Sequence, residues 1–331
     1  MSWVQHGPLQ LDTAPVLSYI GGTSRLQQVF NPAWVESSAG THHRSGLLVR
    51  AQNCSATPGG PCVRCSGAGA NASVMAFAQH LGNGSFATVD EHSIVFGPHD
   101  ATDNFGTEDP RVAYHERSGT YFMFYTCYND GHAAPSPRVT LCLATSADPT
   151  SSARWVRHGP VGFGENSKSG ALLLRRSGPH FLLWGAGVIR IARSDDPTRW
   201  ADRGTVLLEK AFGNPHVEAG PPPLLLSNGD YVFLFNSWTA VTGGAAGYQP
   251  GWVVLNGSDP TQIVARTAAP MLSPVAQKWL LGEKPWTCNV PRVAFVEAAH
   301  PVAGAPDSFR LYLGGADAVV GSAVVTLRRS W

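Results

Sequence analysis

The sequence predicts an all-β chain folded as a five-bladed β-propeller, and three observations carry that expectation. Five segments repeat one design: a polar opening, an apolar run, a turn and a second run rich in aromatics. Glycine (36) and proline (25) are abundant while charged residues make up only 14%, which suits many short strands joined by tight turns. No stretch sustains the three-to-four spacing of apolar residues that an amphipathic helix requires.

The five segments run from Phe30 to Ala51, Glu108 to Thr126, Lys168 to Gly185, Glu218 to Asn236 and Asn289 to Asp317. Turn residues Ser118-Gly119, Ser177-Gly178 and Asn228-Gly229-Asp230 separate apolar runs, so these segments read as hairpins. A second, weaker hairpin follows three of them, marked by Asp148-Pro149, Asp196-Pro197 and Asp259-Pro260. Two hairpins per repeat make a four-stranded blade, and 331 residues allow about 65 per blade. No composition break divides residues 1–331, which are expected to form a single propeller with a Cys-rich insertion at about 52–72 in the first blade. A β-sandwich is the alternative, but sandwiches seldom repeat one opening chemistry five times.

Composition excludes several function classes. Net charge is +1 with Lys and Arg scattered, so no nucleic-acid partner is expected. No apolar run reaches membrane-spanning length, and residues 1–6 do not resemble a signal peptide. Four N-x-S sequons (Asn53, Asn71, Asn83, Asn256) and six cysteines lean towards a secretory or extracellular setting. Cys54, Cys62 and Cys65 share one Gly/Pro-rich stretch, read as a local disulfide pinning a loop, whereas Cys127, Cys142 and Cys288 are isolated. Cys62 and Cys65 lack the second pair that a structural zinc site needs, so no metal is expected.

In a propeller the innermost strands converge on an axis, and the polar openings of the five segments should meet there. They supply Asn31, Glu108, Asp109, Arg111, Lys168, Glu218, Asn289, Arg292 and Asp317, a charged set in a charge-poor chain. Burying such charges is costly unless they pair or act, and carboxylates facing cations suit a sugar or phosphorylated substrate. Asp109 is the sharpest candidate, because Pro110 holds it extended and removes a ladder donor just beyond it. Arg111 would share its strand face and pair with it, or form a merely structural bridge; Glu108 would point to the opposite face. Glu218 opens a rigid E-A-G-P-P-P run and is a candidate base or a solvated loop charge, with Glu283 a weaker third carboxylate. Lys168 and Arg292 read as substrate or phosphate ligands, or as counter-ions for the carboxylates. His216 borders the same region. Trp34, Trp184, Trp238 and Trp286 are sugar-stacking surfaces or core.

The motifs V-F-N-P-A, G-T-E-D-P-R-V, K-S-G-A-L-L, E-A-G-P-P-P-L and Y-L-G-G-A-D-A-V-V-G, in that order from Val29 to Val325, resemble the successive blades of glycoside hydrolase family 130. The resemblance implies a five-bladed propeller acting on β-mannosides by an inverting mechanism, either as a hydrolase or as a phosphorylase. It implies that Asp109 is the general acid, with its proton passing through a mannose hydroxyl in the phosphorylases. It also implies that Asp317 binds the mannose, that Arg50 and Arg111 line the pocket, and that Asn31 is the first blade's polar residue. No cofactor is implied beyond inorganic phosphate as co-substrate of a phosphorylase.

An inverting hydrolase needs a second carboxylate as base, whereas phosphate needs a cationic nest. Here Trp184, His216 and Glu218 stand where phosphorylases of the family carry an arginine, a lysine and a small residue. Two cations lost and a carboxylate gained favour water, so hydrolysis of manno-oligosaccharides is the leading expectation. Phosphorolysis is the alternative, for which Lys168 and Arg190 remain as anion ligands. A non-catalytic sugar-binding propeller is the third reading, against which the intact acid segment argues.

Overall fold

The computed structural model describes residues 2–5, 7–18, 26–37, 43–53, 72–129, 139–164, 166–240 and 246–330. Five antiparallel sheets follow one another along the chain and form the five blades of a propeller. The second blade shows the plan: Gly106–His115 lies innermost, followed outward by Thr120–Tyr128, Val139–Ser146 and Trp155–Pro160. The last blade is completed by Ser2–Gln5, which pairs with the strand Val319–Ser330 and closes the ring.

The predicted turns fall where expected. Residues 116–119 join the first two strands of the second blade. The three Asp-Pro pairs join outer strands and share one geometry. In each, the aspartate carboxylate accepts from the backbone N–H and hydroxyl of the threonine two residues on: Thr150 on Asp148, Thr198 on Asp196, Thr261 on Asp259. A side chain satisfies the turn locally each time, which is why so short a motif marks the blade so clearly.

Innermost strands need no ladder partner on their axial edge, and three of them are bulged. The register slips between Phe30 and Pro32, between Glu108 and Arg111, and between Val296 and Ala298. At the first two bulges Asn31 (φ 46°) and Asp109 (φ 52°) take left-handed backbone, so Asp109 is not extended as Pro110 led us to expect. Each stands just before a proline that could not have donated to a ladder. The third bulge corrects the reading of the last blade. Its innermost strand is Ala294–Pro301, so Asn289 and Arg292 precede it and Glu297 occupies the bulge.

Large apolar residues pack between neighbouring blades, as where Phe122, Phe124 and Leu141 meet Phe163, Leu172 and Trp184. Cys127 and Cys142 are not isolated but form a disulfide across adjacent strands. Cys288 is also disulfide-bonded, its partner lying outside the described residues, as do Cys54, Cys62, Cys65 and nearly all of the expected insertion.

Candidate active site

Asn31, Arg50, Glu108, Asp109, Lys168, Glu218 and Asp317 gather in one charged cluster. Asp109 is held on one carboxylate oxygen, which accepts from Asn31 Nδ2 at 2.9 Å and from Arg50 Nη1 at 3.0 Å. Asn31 can face Asp109 because residue 314 is glycine; a Cβ there would collide with Asn31 Oδ1. Arg50 also binds Glu108 Oε1 through Nη2 at 2.5 Å and Ser73 Oγ through Nε at 3.0 Å, and stacks 4.8 Å over the Phe30 ring. One guanidinium thus fixes both carboxylates of the acid segment. Glu108 was expected on the opposite face of the strand; the bulge at Asp109 resets the alternation and turns both side chains to Arg50.

Burial alone would raise the Asp109 carboxyl, but Arg50, Lys168 and Arg111 outweigh it and hold Asp109 down at about 2. Glu108 is pushed up by burial and by its neighbour Asp109 despite Arg50. Asp317, half-buried with left-handed backbone (φ 49°), is pushed up to about 7 by burial and by repulsion from Asp109 and Glu218, with Arg50 and Lys168 opposing. Near neutral pH Asp317 therefore both donates and accepts hydrogen bonds, as a sugar hydroxyl requires.

The raised Asp317 carboxyl has a consequence for stability. Between about pH 4 and pH 7 the folded protein keeps a proton that the unfolded chain has lost, so this group weakens the fold as pH rises through that window. Asp317→Asn is accordingly expected to gain thermal stability over the wild type at pH 8 and to gain less at pH 5. Melting curves at the two pH values check this, and a difference independent of pH would refute it.

Glu218 is fully engaged. Its Oε1 accepts from Ser169 Oγ at 2.5 Å and pairs with Lys168 Nζ at 2.9 Å, while its Oε2 accepts from the Tyr248 hydroxyl at 2.9 Å. Burial would raise this carboxyl, yet Lys168, the Ser169 hydrogen bond and Arg111 hold it below the ordinary glutamate range. Tyr248 is in turn contacted by His216 Nε2 at 3.3 Å. A general base needs a pKa near the working pH, and Glu218, stabilised as the anion by Lys168, Ser169 and Tyr248, is held below the ordinary glutamate range. Glu283 is exposed in the turn after the short helix Lys278–Leu281 and touches none of this cluster.

Two expected ligands, Arg111 and Arg190, stand elsewhere, and a third, Arg292, lies at the rim. Arg111 is buried beneath the site and its donors go to protein: Nη1 to Asp109 O at 2.9 Å, Nη2 to Ala219 O at 2.9 Å and Nε to Gly220 O at 3.2 Å. Its carboxylate partner is not Asp109, as the strand reading expected, but Glu297 at 3.1 Å. Arg190 holds Gly204 O at 3.3 Å within the third blade, apart from the cluster. Arg292 has no side-chain partner among the described residues; its carbonyl accepts from Tyr248 N–H at 3.1 Å, which places it beside the His216–Tyr248 rim. Of the tryptophans, Trp34 stacks on His300 at 4.1 Å, and Trp184 is buried against Phe163 with its indole N–H on Arg203 O. Half-buried Trp238 meets Tyr248 edge-on at the rim.

Sequence reasoning missed Ser73, Ser169, Tyr248 and Glu297. Only Glu297 left a signal, a lone charge inside the apolar run A-F-V-E-A-A. Among the described residues no cluster of His, Cys, Asp and Glu is arranged to hold a metal ion.

A family profile described as β-1,4-mannooligosaccharide phosphorylase matches residues 74–329. The chain belongs to glycoside hydrolase family 130. It is therefore a member of a family of enzymes acting on β-mannosides. A curated relative, the 1,2-β-oligomannan phosphorylase of Thermoanaerobacter sp. (strain X514), is 28% identical over 229 residues, 67% of this chain and 69% of the relative. Two solved structures share the fold. The β-1,2-mannobiose phosphorylase of Listeria innocua in complex with β-1,2-mannobiose has a TM-score of 0.73 at 19% identity over 98% of this chain and 96% of its own. A second structure comes from work on glycoside hydrolases, within the GH130 family of mannoside phosphorylases, that target β-1,2 mannosidic linkages in Candida mannan. It has a TM-score of 0.74 at 24% identity over 96% of this chain and 93% of its own.

These findings correct the expectation of hydrolysis, because the family profile and the curated relative are phosphorylases. The physical reason lies in the residues that suggested it. Trp184 is packed inside the third blade, so its identity says nothing about the cleft. The carboxylate gained at Glu218 is held by Lys168, Ser169 and Tyr248 and not presented as a base.

Proposed function

We propose that this chain is an inverting β-mannoside phosphorylase. The observation that carries the reading is the state of Glu218: the carboxylate best placed to activate water is taken up by Lys168, Ser169 and Tyr248. An attacking group that brings its own charge needs no base, and phosphate is such a group. In the reaction a phosphate oxygen bonds to the anomeric carbon of the mannosyl unit as the glycosidic C–O bond breaks. The leaving oxygen takes its proton from Asp109, relayed through a mannose hydroxyl, and the products are α-mannose 1-phosphate and the shortened saccharide.

Lys168 and Arg50, with Arg292 at the rim, supply positive charge for the anion, and the His216 ring borders them. Asp317 and Asn31 are assigned to the mannose. Asp109 is held down at about 2, so the acid role requires its carboxyl to be raised in the reaction complex. A phosphate anion beside Lys168 and Arg50 offsets the charges that hold the carboxyl down, which raises its pKa as the reaction complex forms.

The test is incubation with β-1,2- and β-1,4-mannobiose, with and without inorganic phosphate. Mannose 1-phosphate is expected from one of the two, only when phosphate is present. Free mannose formed at the same rate without phosphate would overturn the reading.

A further inference from the structure

Glu297 lies on the innermost strand of the last blade, at the bulge between Val296 and Ala298, with no exposed surface. It occupies in that blade the place that Asn31 and Asp109 occupy in theirs. The bulge is pinned from the neighbouring blade: Asn236 Nδ2 donates to Val296 O at 3.0 Å, and Asn236 Oδ1 accepts from Val296 N–H at 2.8 Å. Gly220 closes the joint; a Cβ there would lie 2.5 Å from Leu234 O and 3.1 Å from Val296 O. The backbone on either side is therefore fixed before the glutamate side chain is considered.

Glu297 makes one strong contact, the ion pair with Arg111 at 3.1 Å, both side chains wholly buried. Neither of its carboxylate oxygens has a hydrogen-bond partner among the described residues. Arg111 ties together the Asp109 carbonyl of the second blade and the Ala219 and Gly220 carbonyls of the fourth. Burial pushes the Glu297 carboxyl well above the ordinary glutamate range, with Asp109 and Glu218 adding to the shift and Arg111 and Arg50 opposing it. The Arg111 guanidinium at 3.1 Å, which keeps its own proton, is the contact that favours the charged carboxylate.

We infer that Glu297 is a positioning residue for the acid Asp109: it holds the Arg111 guanidinium on the Asp109, Ala219 and Gly220 carbonyls and so keeps it off the Asp109 carboxylate. A buried arginine two residues from an aspartate on a bent strand would otherwise pair with it. Glu297 supplies the counter-charge from below. Arg111 then grips only the Asp109 backbone, where it steadies the left-handed conformation, and the carboxylate stays turned towards Arg50, Asn31 and the cleft. The inference deepens the reading of Asp109 as acid and rests on it.

The experiment uses the full chain carrying Glu297→Gln, nearly the same shape without the charge, and Glu297→Asp, which keeps the charge on a shorter arm. With phosphate and mannobiose, E297Q is expected to lose about 10-fold to 100-fold in kcat, with KM for both substrates within about 2-fold of wild type. The acidic limb of its pH profile shifts. E297D is expected to keep more kcat than E297Q. In a crystal structure of ligand-free E297Q, Arg111 is expected to reach the Asp109 carboxylate. That readout needs no activity, so it distinguishes a failure of the inference from a failure of the phosphorylase reading, which a wild type inactive with phosphate would signal. Wild-type kcat in folded E297Q, E297D no better than E297Q, or an unchanged Asp109–Arg50 pair in the crystal would each overturn the inference.

Discussion

Asp109→Asn abolishes turnover but not substrate binding: this is the largest effect expected of any single substitution. The asparagine amide fills the same space beside Asn31 and Arg50 but carries no transferable proton. Loss of a general acid lowers kcat by about 10²-fold to 10⁴-fold. Affinity for mannobiose, measured by calorimetry, should change little. The variant also removes a charge that Arg50 neutralises, leaving Arg50 paired with Glu108 alone, so Glu108 should fall below its wild-type pKa. Residual activity within a few-fold of wild type would remove Asp109 from the acid role.

The second large effect is expected at Lys168. Replacing it with methionine deletes the cation nearest Glu218 and one of those holding Asp109 down. Two losses should appear together. The kcat/KM for phosphate falls by about 10²-fold, the scale of removing one donor to an anion in a water-poor site. Stability falls by about 3 kcal/mol, because the buried Glu218 carboxylate keeps Ser169 and Tyr248 but loses its counter-ion. The double variant Lys168→Met/Glu218→Gln separates the two: it should regain stability while phosphate use stays impaired. If the single variant kept wild-type use of phosphate, Lys168 would be a structural counter-ion and no more.

The blades were legible in the sequence because their signals are local. Asp148-Pro149-Thr150 and its two counterparts close their turns with their own side chains, and Ser-Gly or Asn-Gly pairs sit between strands whatever the rest of the chain does. The acid segment was legible for the same reason. Asp109-Pro110 marks a place where the inner strand forgoes a hydrogen bond, and the bulge there follows from that. Partnerships were not legible. Strand alternation placed Arg111 beside Asp109 and Glu108 away from it, but a single left-handed residue reverses both statements. Glu218 read as a free carboxylate because its partners, Lys168, Ser169 and Tyr248, are distant in sequence and meet it only when the third and fourth blades pack. The last blade was misregistered because N-V-P-R mimics the opening of E-D-P-R, whereas the residue that completes the axis, Glu297, lies five positions further on.

The strand that closes the ring carries a mechanical consequence. Ser2 lies opposite Ser330 and Gln5 opposite Leu327, so the two chain segments leave this pairing side by side. A force pulling Ser2 away from Ser330 loads their hydrogen bonds one after another, like a zipper, instead of sharing the load across the strand. These four pairs should therefore yield at low tension, and the zipper then runs on through Gln10 and Leu11, paired with Val324 and Ala323, before the last blade lets go of the N-terminal segment.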